Sequence, residues 1–229
     1  MFENILRSIQ AAGSGHPGGS VTALPILEWL YFKHMCPQPY DFSDPDRDIC
    51  ILSKGHAAPA LYAVFERMGI LSHQEMLNLR KLSEPAQGHP ATRWLPHVIT
   101  STGSLGQGLA VAAGMALANG RRRVFCVVGD GDMQEGIATE VARFAVSQKL
   151  ENLVVVWDKN DALSDEYSVV YSDIPWEWSV AGWSVFVGFD YQSMRGKPSL
   201  LVIKTDKTLP HGSVTLSDED VDEMLGKAL

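Results

Sequence analysis

The sequence predicts an α/β domain with a mostly parallel sheet flanked by helices, and two observations lead to this prediction. First, two apolar, β-branched runs at residues 124–128 and 153–157 are separated by a turn and a helical stretch at about 134–147. Parallel strands need a crossover of this kind, which is usually a helix. Second, apolar runs at residues 184–187 and 200–205 predict further strands.

The spacing of apolar residues predicts the remaining elements. Helices are expected over residues 1–12, 21–34, 60–68, 72–82 and 106–120, a short buried strand over 49–52, and a terminal helix capped by Ser217. The stretch 106–120 is rich in small residues, which is typical of a helix packed closely against its neighbours. Because no repeat or low-complexity linker interrupts the pattern, we treat residues 1–229 as a single domain.

The composition narrows the class of protein and its partners. The 229 residues are 45% hydrophobic and 20% charged, as in ordinary globular proteins. Acidic residues exceed basic ones and leave a formal net charge of −8, which disfavours nucleic acid as a partner. No apolar run approaches the roughly 18 residues of a membrane span, and no secretory signal is recognisable, so we expect no membrane partner and a cytoplasmic location. Three cysteines without a CxxC spacing favour neither a disulfide framework nor a zinc site.

Three loops follow predicted strands and are expected to meet at one edge of the sheet. They comprise residues 53–56, 129–135 and 158–162, and ligands of open α/β sheets bind beyond the carboxyl ends of the strands. The middle loop is not a dinucleotide motif, because Gln134 stands where G-x-G-x-x-G requires its third glycine. Asp130 in a phosphate-binding turn would repel a diphosphate unless a divalent cation lay between them.

Asp130 and Asn160 are candidate ligands of such a cation. They lie 30 residues apart, the span of one helix and one strand, so both are expected at equivalent ends of neighbouring strands. Magnesium prefers oxygen ligands and often bridges protein side chains to phosphates. A backbone carbonyl just beyond Asn160 is a candidate third ligand. Each residue alone is more typical of an ordinary turn or loop, but their spacing favours the metal site.

Six short motifs, taken in order and spacing, resemble the diphosphate-binding half of the transketolase family. They are SGHPGG at residues 14–19, SKGHA at 53–57, GHP at 88–90, TGSLGQG at 102–108, GDGDMQEG at 129–136 and DKN at 158–160. In that family, the thiamine diphosphate motif is GDG followed after a similar interval by Asn. The α chain of a 2-oxo acid dehydrogenase or decarboxylase shares this motif and is an alternative, but the histidine motifs favour the ketol transferases.

The resemblance implies a thiamine diphosphate-binding fold with a bound Mg²⁺ or Ca²⁺. The implied metal ligands are Asp130, Asn160 and the carbonyl of Ala162. The implied cofactor-binding residues include the two side-chain metal ligands and four others. These four are His56, Gly103, Leu105 and Gly131.

The resemblance also implies catalytic roles. His16, His89 and His211 would surround the reactive thiazolium carbon and handle protons of substrate hydroxyls, which suits imidazoles near neutral pH. Glu135 and Glu140 stand where the family places acidic groups that link the two cofactor sites of a dimer. The alternative for the histidines is an ordinary loop position, and for the glutamates a solvated helix start.

The family holds its cofactor between two domains, and a glutamate of the second, pyrimidine-binding domain activates it. This chain is too short to hold both domains, so the resemblance implies a separate C-terminal (pyrimidine-binding) transketolase subunit, with an expected α2β2 assembly. The implied reaction transfers a two-carbon ketol unit from a ketose or sugar phosphate to an acceptor. Ser104 replaces the usual proline, and residues 191–197 replace a helix of the relatives, so the substrates stay open. A non-catalytic subunit that binds cofactor or partner is the alternative from a different class.

Overall fold

The computed structural model describes residues 1–161, 173–191, 196–206, 209–210 and 212–227, and within them five parallel strands lie between two layers of helices. The strands are β1 (Ile49–Leu52), β2 (Val124–Gly129), β3 (Leu153–Lys159), β4 (Ser184–Val187) and β5 (Ser199–Lys204). Their spatial order is β1-β2-β3-β5-β4, and each neighbouring pair is parallel. The predicted α/β class and parallel sheet are confirmed.

Helices cover both faces of the sheet. They are α1 (Phe2–Ala12), α2 (Pro17–Trp29), α3 (Ala58–Arg67), α4 (His73–Leu77), α5 (Gln107–Ala118), α6 (Asp130–Gln134), α7 (Gly136–Ser147), α8 (Ile174–Ala181) and α9 (Asp218–Lys227). Helices α1 to α4 and α9 pack on one face, and α5, α7 and α8 pack on the other. Within the described ranges, no helix is both long enough and apolar enough to cross a bilayer.

Burial on both faces explains the unbroken apolar runs of the central strands. In β2, Phe125 and Val127 face the α1 side, whereas Cys126 and Val128 face the α5 side, and all four are fully buried. A parallel sheet covered in this way does not show the alternation of an exposed sheet. Polar side chains that could bind a ligand are therefore expected at the ends of the central strands.

Several helix boundaries differ from the sequence-based expectation. The helix expected at 72–82 is only α4, because Arg80 and Ser83 adopt left-handed backbone angles (φ 66° and 68°) that a right-handed helix cannot contain. The helix expected from residue 21 begins at Pro17, whose fixed φ suits a first helical position. The helix expected at 134–147 is divided by Glu135, whose ψ of 141° is extended. The Ser217 cap is confirmed, since its Oγ accepts a hydrogen bond from the Asp220 amide at 3.1 Å.

A π-helical turn after α2, Leu30–His34, places His34 beside the start of β2. The imidazole stacks on Trp29 with 4.2 Å between ring centroids, and its Nε2 accepts a hydrogen bond from Arg123 Nη1 at 3.3 Å. Burial, followed by the positive charge of Arg123, lowers the pKa of His34 to about 4, although nearby Asp48 acts in the opposite direction. The folded protein therefore favours the neutral imidazole.

We expect His34 to contribute to acid destabilisation. The unfolded chain, with an ordinary histidine pKa of about 6.5, binds this proton more readily than the folded chain does. The free energy of unfolding should therefore fall as the pH decreases from about 6.5 to about 4. In His34→Gln, urea denaturation should show a smaller fall over this range than in the wild type. An identical pH dependence of the two proteins would contradict the assignment.

Candidate functional site

The two predicted metal ligands are neighbours in the structure. Gly129 pairs with Asp158 in the sheet, so Asp130 and Asn160 follow β2 and β3 at the same edge. Asp130 is only 3% exposed. Its Oδ2 accepts a hydrogen bond from the backbone amide of Asn160 at 3.1 Å, and its Oδ1 accepts one from Trp157 Nε1 at 3.0 Å. These bonds fix the orientation of the carboxylate.

A buried ion pair lies beside them. Lys54 Nζ donates to Asp158 Oδ2 at 2.6 Å, and the two residues are 1% and 0% exposed. The hydroxyl of Thr22 donates to the same oxygen at 2.7 Å, and that of Thr205 donates to Oδ1 at 2.6 Å. Such additional bonds are what a buried ion pair needs to offset desolvation. The pair joins the ends of β1 and β3 to α2 and to the residue after β5.

Asp132 forms a second buried junction. Its Oδ1 accepts hydrogen bonds from Ser53 Oγ at 2.7 Å and from the Gly106 amide at 2.8 Å, and its Oδ2 accepts one from the Gly129 amide at 2.9 Å. One fully buried carboxylate thus connects the loop after β1, the end of β2 and the start of α5.

Three of the predicted histidines lie on adjoining loops. The rings of His16 and His56 meet edge to face with 5.1 Å between centroids. A Cβ on Gly19 would lie 2.7 Å from His56 Nε2, so this motif glycine makes room for the imidazole. His89 lies against Gly55 and Gly103, where an added Cβ would come within 3.0 and 3.1 Å of its Cδ2. The structure therefore brings the SGHPGG, SKGHA, GHP and TGSLGQG motifs together.

The surroundings of His89 favour its neutral form. Burial lowers the pKa of this imidazole, and the positive charge of Arg80 and the nearby His16 imidazole lower it further. A neutral imidazole has one donor and one acceptor nitrogen, so it can accept a proton as well as donate a hydrogen bond. This is the state that a general base requires near neutral pH.

The remaining predicted site residues lie around this centre or outside the described part of the chain. Gly131 is in the first turn of α6, and Leu105 is 41% exposed just before α5. Glu135 is exposed between α6 and α7, where its side chain approaches Gly106, and Glu140 is exposed on α7. Both glutamates are thus on the surface rather than among the buried groups. Ala162 and His211 lie outside the described residues.

Residue types and charge at this edge suit a divalent cation. No cluster of three or more His, Cys, Asp or Glu side chains arranged for a metal occurs among the described residues. A cation here would be bound by the Asp130 carboxylate, the side-chain carbonyl oxygen of Asn160 and further oxygens. Among the described residues, the buried charged side chains at this edge are three aspartates and one lysine, a formal charge of −2. A divalent cation would compensate this charge, and hard cations prefer such oxygen ligands.

Sequence reasoning found the histidines and the Asp130–Asn160 pair but assigned no role to Lys54, Asp132 or Asp158. A usable signal was present, because each is a charged residue within four positions of the end of a buried apolar strand. Side chains in such positions are buried only when they are paired or hydrogen-bonded. A search for charges at strand ends would have identified all three.

Comparisons with known proteins relate this chain to one family. The family described as "Transketolase, thiamine diphosphate binding domain" matches residues 5–207. Transketolase-like protein 2 of Mus musculus is 35% identical over 247 residues, which cover 98% of this chain and 38% of that protein. The 6-deoxy-6-sulfo-D-fructose transketolase subunit SqwG of Clostridium sp. (strain MSTE9) is 34% identical, over 88% of this chain and 80% of its own length.

The solved structure of transketolase from Leishmania mexicana superposes with a TM-score of 0.86 and 26% identity, covering 99% of this chain and 40% of that one. The chain thus spans about two fifths of the longer relatives, 38% of the mouse protein and 40% of the Leishmania protein. Because the family match extends over most of the sequence, and the fold agrees with it, the chain belongs to the transketolase family and carries its thiamine diphosphate-binding domain.

Proposed function

We propose that this chain binds thiamine diphosphate and Mg²⁺, or Ca²⁺ in its place, as the N-terminal subunit of a two-chain transketolase. The complex would transfer a two-carbon ketol unit from a ketose donor to an acceptor. The observation that carries the proposal is the meeting of Asp130, Asn160 and three histidine loops at one edge of the sheet. This arrangement pairs oxygen ligands for a cation with groups that handle protons.

The proposed cation would be held by Asp130, Asn160 and the carbonyl of Ala162. The buried formal charge of −2 at this edge supports a divalent ion, and a divalent ion would in turn bind the diphosphate oxygens. Beside the ion, we assign the cofactor contacts to His56, Gly103, Leu105 and Gly131. Gly103 has φ 147° and lets the His89 imidazole lie against its backbone, which keeps this histidine beside the proposed cofactor loop.

When bound, thiamine diphosphate supplies the electron sink for cleavage of the carbon–carbon bond. The chain's own contribution is to position the substrate and to move protons. We assign His16, His89 and His211 to the substrate hydroxyls, and the neutral form of His89 supports a role as proton acceptor. Glu135 and Glu140 are the proposed acidic link to the second cofactor site of the assembly.

A partner chain with a pyrimidine-binding domain would complete the site and supply the activating glutamate. Helix α5 contains no charged residue, and it buries four side chains against the core. Its outer face leaves Val111 37% and Leu117 52% exposed. A helix that is apolar on all sides is normally buried on all sides. Since α5 begins directly after the Gly103–Leu105 loop, the subunit that completes the cofactor site is the occupant that we propose for this face.

The Clostridium relative supports both the assembly and the substrate class that we propose. Its name describes a subunit, and this chain matches 80% of its length. We propose an α2β2 complex with a C-terminal pyrimidine-binding subunit. Its donor would be a ketose phosphate or a ketose that carries another anionic group, as in the 6-deoxy-6-sulfo-D-fructose of that name.

One experiment tests cofactor and partner together. The tagged chain is purified gently from its native host, its stoichiometric partners are identified, and bound thiamine diphosphate is measured by thiochrome fluorescence. We expect a second chain with the pyrimidine-binding domain and one cofactor per pair of chains. A homo-oligomer that stays free of cofactor in the presence of added Mg²⁺ and thiamine diphosphate would contradict the proposal and favour a non-catalytic subunit.

Replacing Asp130 with Asn should weaken cofactor binding without unfolding the chain. The amide keeps the size of the carboxylate but removes the charge that binds the cation, so we expect roughly a 100-fold weaker affinity for thiamine diphosphate in Mg²⁺. Calorimetric titration of the purified complex measures this change. Asp46→Asn, at an exposed position, is the matched control and should bind as the wild type. Equal affinities of Asp130→Asn and wild type would remove Asp130 from the metal site.

Replacing His89 with Asn should separate turnover from binding. The loss of a proton-transfer group lowers kcat by about 10²- to 10⁴-fold, whereas the affinity for thiamine diphosphate should change little because the metal ligands are untouched. Steady-state kinetics and calorimetry on the same preparation give both values. A variant that binds the cofactor normally and turns over at the wild-type rate would show that His89 has no part in the mechanism.

Replacing Leu117 with Asp should prevent association with the partner chain. A carboxylate on the outer face of α5 would have to be desolvated in the interface, which costs several kcal/mol when it is unpaired. Size-exclusion chromatography with light scattering reports the association. Val187→Asp is the matched control, because Val187 is 70% exposed on β4, at the far edge of the sheet. Normal assembly of the Leu117 variant would show that the partner does not cover α5.

A further inference from the structure

Arg80 occupies an unusual position between two of the histidine loops. It follows α4 and adopts a left-handed backbone conformation, with φ 66°, which residues with a Cβ rarely adopt. Its amide donates to the Ala86 carbonyl at 2.8 Å and closes the turn that leads to the GHP motif. Backbone conformations of this kind are retained where the surrounding structure requires them, often at functional sites.

The guanidinium reaches both histidine loops. Its Nη1 donates to Ser14 Oγ at 2.9 Å, two residues before His16. On the other side, a Cβ on Gly88 would lie 3.2 Å from its Nε, so the side chain passes directly against the residue before His89. The Nε itself is buried and makes no hydrogen bond to the described part of the chain. Arg80 is therefore inserted between the loops rather than extended into solvent.

We propose that Arg80 is a positioning residue that fixes the His16 and His89 loops relative to one another, so that both imidazoles act on the same substrate. The inference rests on the proposed function, because it assumes that these histidines handle protons. It adds a residue that lies in none of the six family motifs described above. Its basis is the placement of one half-buried cation between two loops that are far apart in sequence.

The same cation acts on His89 through its charge. The groups that bear on this histidine are Arg80, His16 ahead of α2, and Tyr62 of α3, whose hydroxyl donates to the His89 carbonyl at 3.2 Å. Burial raises the pKa of Tyr62, so that side chain stays neutral. Burial, the positive charge of Arg80 and the nearby His16 imidazole all lower the pKa of His89. Removing the charge of Arg80 should therefore raise it.

The test uses three variants and one control. Arg80→Met removes the charge and the hydrogen bond to Ser14, Arg80→Lys keeps the charge but not the planar fork, and Ser14→Ala removes the acceptor while Arg80 stays. Lys81→Met is the matched control, because it removes an exposed positive charge from the neighbouring residue. The pKa of His89 is measured by NMR titration of the intact labelled chain, and kcat and KM are measured on the assembled enzyme.

We expect Arg80→Met to raise the His89 pKa, because the nearby positive charge is lost, and to lower kcat by about 10- to 100-fold, with a smaller change in KM. Arg80→Lys and Ser14→Ala should keep a low His89 pKa but still lower kcat, because the charge remains and the loop contact is lost. Lys81→Met should match the wild type in both measurements. A folded Arg80→Met with wild-type kcat overturns the proposal.

The outcomes also separate this inference from the proposed function. The NMR titration does not depend on turnover. If His89→Asn turns over normally while Arg80→Met shifts the His89 pKa, the proposed role of His89 is wrong but the electrostatic coupling is present. If His89→Asn is inactive while Arg80→Met changes neither pKa nor kcat, only the inference about Arg80 is wrong. Should Arg80→Met fail to fold, wild-type kcat in both Arg80→Lys and Ser14→Ala overturns it.

Discussion

The buried ion pair between Lys54 and Asp158 holds the functional edge of the sheet together. It connects the loop after β1 to the end of β3, and the hydroxyls of Thr22 and Thr205 donate to the same carboxylate. Buried pairs of this kind are not efficient sources of stability, because desolvation offsets most of the attraction. Their value here is geometric, since removing either partner would leave an uncompensated charge in the interior. The ion pair therefore fixes the relative positions of the strand ends at this edge, and with them the positions of the neighbouring site residues.

Asp132 and the motif glycines extend this order to the loops. Asp132 ties the start of α5 to the ends of β1 and β2, while Gly19, Gly55 and Gly103 allow imidazoles to approach the backbone closely. The histidines thus occupy space that side chains of other residues would fill. The shape of the site therefore depends on hydrogen-bonded buried carboxylates and on glycines that leave room for the imidazoles.

The architecture could be predicted from the sequence because burial on both faces of the sheet produces unbroken apolar runs in the strands. The ends of α4 and α6 could not, because they depend on the left-handed Arg80 and Ser83 and on the extended Glu135, which propensities do not indicate. At the site, the Asp130–Asn160 pair follows from spacing, and the histidines follow from the family resemblance of their motifs. Lys54 and Asp132 leave only the signal of a charge at the end of an apolar strand, and Arg80 emerges only when loops distant in sequence are placed together. Tertiary contacts of this kind have no local periodicity to reveal them.

The outer face of α5 has a consequence for how the chain exists in a cell. A charge-free helix with exposed Val111 and Leu117 is a surface that other incompletely covered proteins can also bind. Chains synthesised in excess of whatever covers this helix would be prone to aggregation and would become clients of chaperones and proteases. Under the proposed two-chain assembly, balanced synthesis of both chains would keep this helix covered. The exposed apolar face of α5 thus makes accumulation of the uncovered chain costly.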